Sequence, residues 1–164
     1  MPNQVDYQLL CAQLQALAEG EPHWLPVLSN ASALLMDALD DLNWAGFYLT
    51  DATTPHPSLL LGPFQGKVAC VRIEFGRGVC GTAAATNLSQ LVPNVHEFAG
   101  HIACDSASNS EVVVPIHADG QVVGVLDIDS PLLGRFSAAD LAGLEAFVRT
   151  LERCANLSQL PLGR

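Results

Sequence analysis

Charge is scarce in this 164-residue sequence and lopsided where it occurs. Charged residues make up 15% of the chain, with 7 Lys plus Arg against 17 Asp plus Glu and a formal net charge of −10. That balance argues against nucleic acid or an anionic membrane as partner, since both would repel it. Long hydrophobic runs are missing too: none approaches the ~18 uninterrupted apolar residues of a membrane-crossing helix. The opening MPNQVDYQLLCAQL has neither a basic segment nor a small-residue cleavage site after an apolar block. No export signal is read there, and a cytoplasmic protein is expected. Internal repeats and low-complexity tracts are absent, and the one linker-like stretch, TDATTPHPS from Thr50 to Ser58, is short enough to be a loop. Zinc-type pairing is absent as well. Cys70, Cys80, Cys104, His96 and His101 could in principle form a Cys/His site, but no C-x2-4-C pair stands opposite the two histidines, so no metal is expected.

What is present is an apolar, globular chain, 49% hydrophobic, of a length that suits one domain burying roughly two-thirds of its unfolded surface. Its five cysteines are an odd number, which argues against a structural disulfide framework and for reduced thiols, any disulfide being transient and catalytic. Cys70, Cys80 and Cys104 fall between Gly62 and Glu111, among glycines, small residues and polar turns where a thiol can be reached. Cys11 and Cys154 fall in the terminal helices and read as packing residues.

Apolar residues at helical spacing (Val5, Leu9, Leu10, Leu14, Leu17) predict a helix from Asn3 to Ala18, stopped by Gly20. A second helix starts near Pro22 and Pro26 and presents Leu25, Leu28, Leu34, Leu35, Ala38 and Leu39 as its buried face. Strands are predicted at Asn43 to Thr50, Ser58 to Gly62, Ala69 to Phe75 and Ser89 to Val92. A short helix follows the tight turn of GRGVCGTAAATN, from Gly76 to Asn87. Pro93 to Ser110 has no periodicity, and an ordered loop of that length is usually functional. Glu111 to His117 and Gln121 to Asp129 flank an Ala-Asp-Gly turn as a hairpin. Phe136 to Leu157 is a long amphipathic helix with Ser137 as its N-cap. The order implies an α+β fold: an antiparallel sheet with helices mainly on one face and the long loop over the other.

Chemistry concentrates in two places. Cys80 lies near a helix N-terminus, where the dipole favours a thiolate, and on spacing alone it is the preferred nucleophile. Cys104 lies in the long loop and Cys70 in or beside a strand. Asp127 and Asp129, in VVGVLDIDS, share one strand face, and Glu111 opens the partner strand. Either these carboxylates reach water at a strand end or they converge on a polar pocket. Converged, they suit an ammonium group, and crowding could hold one carboxyl protonated as an acid.

GPFQGKVAC, GRGVCGTAAAT, VHEFAGHIACDSASNSEVVVPI and GVLDIDSP together resemble the free methionine-R-sulfoxide reductases, a GAF-domain family. The resemblance runs from about Trp44 to the final helix. It implies one GAF domain over residues 1–164, a six-stranded antiparallel sheet flanked by N- and C-terminal helices, and a homodimer. It also implies Cys104 as catalytic cysteine, Cys70 as the main resolving cysteine and Cys80 as an auxiliary thiol, which displaces Cys80 as nucleophile. Glu111, Asp127 and Asp129 match the family's pocket carboxylates, and Trp44 and Tyr48 its aromatic wall. The activity implied is reduction of free methionine-R-sulfoxide through a cysteine sulfenic acid and a Cys70 to Cys104 disulfide, with thioredoxin as reductant and no bound cofactor. The competing expectation is a GAF domain that senses a small ligand and catalyses nothing. Such a sensor has no need of three spaced thiols.

Overall fold

Strand alternation organises the molecule. A computed structural model describes residues 4–101 and 107–163. Among them six strands form one sheet: β1 (Trp44–Asp51), β2 (Ser58–Gly66), β3 (Arg72–Glu74), β4 (Gln90–Val92), β5 (Ser110–Ala118) and β6 (Gln121–Ser130). Their spatial order is β3-β2-β1-β6-β5-β4, and every neighbouring pair is antiparallel. The helices are α1 (Tyr7–Ala18), α2 (Trp24–Ala38), α3 (Gly78–Thr86) and α4 (Ala138–Cys154). This is the α+β layout and six-stranded sheet that the sequence implies. No helix among the described residues is long and apolar enough to cross a membrane.

Successive side chains leave a strand on opposite faces. Ala45, Phe47 and Leu49 of β1, with Val112 and Val114 of β5 and Leu126 and Ile128 of β6, turn toward α1, α2 and α4 and join their leucines and Phe147 in one apolar cluster. Each fully buried Leu or Phe there stabilises the fold by about 1.5–3 kcal/mol. Where α1 crosses α4, the Tyr7 ring lies so close over Gly143 that a Cβ at that position would strike it, and the Tyr7 hydroxyl donates to Asp140 Oδ1 at 2.8 Å. Asp140 also completes a capping box with Ser137, the expected N-cap of α4.

The opposite face carries Trp44, Tyr48, Val113 and Val125, packed with residues of α3, β4 and the 3-10 turn Val95–Glu97. Its cover is therefore α3 together with Val95 and Phe98 of the segment expected to cover it as a loop, so that expectation holds in part and a helix is added to it. Residues 102–106, Cys104 among them, lie outside the described residues.

Several local expectations shift. α1 buries Leu10, Leu14 and Ala18, so Leu9 and Leu17, counted in its apolar stripe, are 53% and 47% exposed. α2 buries Val27, Leu28, Ala31 and Leu35 and leaves Leu25 outward. Pro26 fits within the first turn of α2, where a missing N–H has no helical acceptor to lose. β2 continues past Gly62 to Gly66 because β1 keeps pairing with it as far as Trp44, across an irregularity between Gly46 and Tyr48. β3 shrinks to Arg72–Glu74, which leaves Cys70 in the irregular segment ahead of it. At the far end of β1, Asp51 is buried and accepts from Thr53 N–H and Oγ and from Arg72 Nη1 at 2.9, 2.6 and 2.6 Å. Those Thr53 bonds, with Arg72, hold its carboxyl down at about 2.

Candidate active site

Glycines let α3 begin directly against the sheet. Gly76 and Gly78 adopt φ of +85° and +62°, a region that costs glycine nothing, and a Cβ at Gly81 would strike the Glu74 carbonyl. Gly78, Val79 and Cys80 form the first turn and line a small pocket on this face. Arg77, at the N-cap, makes no side-chain capping bond. The first-turn N–H groups and the positive end of the helix dipole are thus left for whatever occupies the pocket.

Cys80 is at the helix start, as its spacing predicts, yet the expected thiolate does not follow. The residue is 4% exposed, and its thiol donates to Glu111 Oε1 at 3.8 Å. Burial, reinforced by the nearby charges of Asp127, Glu111 and Asp129, pushes its pKa well above the usual thiol value. A full helix turn of dipole does not outweigh that.

The hairpin of β5 and β6 gathers the carboxylates. Glu111 stands opposite Asp129 and Val113 opposite Asp127, while β1 places Trp44 opposite Asp129. Glu111, Asp127 and Asp129 are only 6%, 6% and 9% exposed and all line the pocket. The alternative of a strand end reaching water therefore fails. Burial first, then the charges of Asp127 and Asp129, raises the Glu111 pKa well above the carboxylate range, and burial raises that of Asp127. Oδ1 of Asp127 is buried with no hydrogen-bond partner. Such a cluster keeps at least one carboxyl protonated and leaves an acceptor open for a cationic group.

Trp44 is stacked between Tyr48 and Phe64, with ring centroids 5.8 and 5.1 Å away. Phe64 escaped the sequence reading, although it faces Gly46, where a Cβ would collide with it. The Tyr48 hydroxyl donates to the Cys70 carbonyl at 2.9 Å. Burial and the Asp127 charge raise its pKa, so it remains a donor. His101, considered in the sequence only as a metal ligand, and Ser108, not anticipated at all, also line the pocket. Burial and neighbouring His96 lower the pKa of His101, which favours its neutral ring.

Cys70 is half-buried and disulfide-bonded, whereas Cys11, Cys80 and Cys154 are free. Cys104 lies outside the described residues. Cys80, Glu111 and Asp127 also bring one ligand-type atom each within 4.8 Å of one another. They come from three different elements, so a search for closely spaced ligand pairs passes over them.

Residues 23–154 match the GAF domain family. With its six-stranded sheet and a pocket under α3, the chain belongs to the GAF-domain family. It is 54% identical over 147 residues to the free methionine-R-sulfoxide reductase of Escherichia coli strain K12, covering 90% of this chain and 87% of that one. The substrate complex of fRMsr from Staphylococcus aureus superposes with a TM-score of 0.86 at 49% identity, covering 94% of this chain and 98% of that one. Free methionine-R-sulfoxide reductase from Neisseria meningitidis in complex with its substrate gives a TM-score of 0.85 at 41% identity, over 90% and 86% of the two chains. Within the GAF family this chain's place is among the free methionine-R-sulfoxide reductases, and it is an oxidoreductase.

Proposed function

We propose that this protein, a single GAF domain over residues 1–164 acting as a cytoplasmic homodimer, reduces free L-methionine-(R)-sulfoxide to L-methionine at the expense of thioredoxin. The observation that carries the reading is the buried triad of Glu111, Asp127 and Asp129, walled by Trp44 and Tyr48 and adjoining the disulfide-bonded Cys70 segment. A free amino acid presents an ammonium and a carboxylate. The open acceptor of Asp127, with Asp129, suits the ammonium, and the uncapped first turn of α3 suits the carboxylate. A peptide-bound residue has neither charge to offer. Trp44 and Tyr48 supply an apolar wall for the side chain.

Cys104 is the nucleophile in this reading. Its thiolate attacks the sulfoxide sulfur, and Glu111, held protonated by burial, donates to the sulfoxide oxygen. In the adduct so formed the hydroxyl passes from the methionine sulfur to the Cys104 sulfur as the bond between the two sulfurs and the methionine S–O bond break; methionine leaves, and Cys104, oxidised by two electrons, is a sulfenic acid. The Cys70 thiol attacks that sulfur, releasing water and forming the Cys70 to Cys104 disulfide. Cys80 serves as an auxiliary thiol in recycling. The electrons arrive as thiols, so no bound cofactor is required.

Following NADPH oxidation with thioredoxin, thioredoxin reductase and free sulfoxide tests the reading. The R epimer should be turned over, the S epimer and a peptidyl sulfoxide should not, and Cys104→Ser should form no methionine even in a rapid-quenched first turnover. Comparable turnover of peptidyl sulfoxide, or a normal first turnover in Cys104→Ser, would overturn it.

A further inference from the structure

Two of the large hydrophobic side chains stand out from the surface beside one reactive residue. Val68 is 88% exposed and Val71 67%, the highest values among the exposed large hydrophobics of the described residues. They flank Cys70, which is half-buried and disulfide-bonded. A lone exposed valine needs no explanation. Two of them on one short segment, around a sulfur that must be attacked from outside, do.

The segment is held in place and does not trail loosely. The Cys70 carbonyl accepts from the Tyr48 hydroxyl at 2.9 Å, and the Val71 carbonyl accepts from Leu61 N–H at 2.9 Å. Arg72, the next residue, is committed to Asp51 at 2.6 Å and to Ser58 at 2.7 Å. Its backbone is thereby fixed at Cys70 and Val71, while the side chains of Val71 and of Val68, which also edges the pocket, remain largely exposed. Lys67, exposed at the other end, is one of only 7 basic residues in a chain of net charge −10, so this edge repels an acidic partner less than the rest of the surface does.

We propose that residues 67–71 are the docking surface for the dithiol protein that regenerates the enzyme, with Val68 and Val71 as its apolar contacts. This rests on the thiol chemistry proposed above. The partner's thiolate attacks the Cys70 sulfur, a mixed disulfide forms, and Cys104 leaves as a thiolate that takes up a proton. The partner's second thiol then displaces Cys70, so the partner is oxidised to a disulfide and the enzyme recovers two thiols. A bond of about 2 Å between the two sulfurs brings the residues around both cysteines into contact. On this chain those residues are the valines, and the fitting occupant is a small dithiol protein with a flat apolar collar around its nucleophilic sulfur.

The test reads disulfide reduction directly, so it does not depend on which sulfoxide the enzyme takes. Oxidised parent, Val71→Ser and Val68→Ser/Val71→Ser proteins are mixed with reduced thioredoxin or with dithiothreitol, and free thiols are trapped and counted over time. The double variant should react about tenfold more slowly with thioredoxin, as loss of two apolar contacts implies. Val71→Ser should fall between, and the dithiothreitol rates of all three should agree. Equal thioredoxin rates would overturn the proposal, as would a matching slowdown with dithiothreitol, which would mean a shielded disulfide. A change in sedimentation of the variants would assign the face to a second copy of the chain instead. Failure of the sulfoxide assay with a normal parent thioredoxin rate would remove the proposed substrate and leave the docking surface standing.

Discussion

The two faces of the sheet are built from the same strands and behave as different materials. On the face toward α1, α2 and α4, Phe47, Leu126 and Ile128 join an unbroken hydrocarbon cluster. One position along each strand, Tyr48, Asp127 and Asp129 face the pocket. A burial that stabilises the first face is costly on the second, where carboxyls without water give up their charge. The protein keeps this cost local by confining it to one end of β5 and β6, near β1's Trp44. The comparison teaches that parity along a strand, and not any regional composition, separates the part that holds the fold from the part that does chemistry.

Substitutions should divide along the same line. The largest effect is expected from Phe147→Ala on the helix face, which removes a fully buried ring and should cost about 3–5 kcal/mol of unfolding free energy. Urea titration measures it, and the surviving folded fraction should keep its kcat/KM. Glu111→Gln should do the reverse: kcat/KM falls about ten- to a hundredfold, with a melting temperature at or above the parent's. A parent-like kcat/KM would leave Glu111 without a part in the reaction.

Acidity offers a finer cut. Glu111 and Asp127 have folded pKa values raised above ordinary values of 4.5 and 3.8. Their contribution to stability is full below those ordinary values and is lost as pH rises through the raised ones. Asp51 is opposite in sign: held at about 2 against 3.8, it contributes above 3.8 and loses that contribution as pH falls toward 2. Calorimetric melts should therefore decline on both sides of mildly acidic pH. Glu111→Gln should shrink the alkaline decline, leaving the part due to Asp127, without altering the acidic one, and Asp51→Asn should reduce the acidic decline alone. The smallest effect should come from Leu25→Ser, on the outer side of α2, with a change within about 0.5 kcal/mol in the same urea titration.

Much of this division can be read in the chain itself. Asp127 and Asp129 two apart on an apolar strand, with Glu111 across a hairpin, already imply one shared face, because strand period and hairpin register are local matters. The state of Cys80 is not local. Its helix-end position was legible, but the burial and the three acidic neighbours that raise its pKa come from β5 and β6. Leu25, expected on the buried face of α2, turns outward, and Leu9 and Leu17 of the α1 stripe are exposed, for a related reason: a stripe of leucines at helical spacing does not say which of two adjacent rows is covered. Phe64 was missed because β2 outlasts its run of leucines, sustained by pairing with β1.

The stack of Trp44 between Tyr48 and Phe64 also makes the pocket visible to light. The chain has 2 tryptophans. Trp24 begins α2 and packs against the helix-face cluster, whereas Trp44 is a wall of the pocket beside Asp127 and Asp129. Indole emission depends on nearby charge and water, both of which a zwitterion entering that pocket would change. With Trp24→Phe as background, occupancy of the pocket can be followed by fluorescence alone, without added dye and before any turnover.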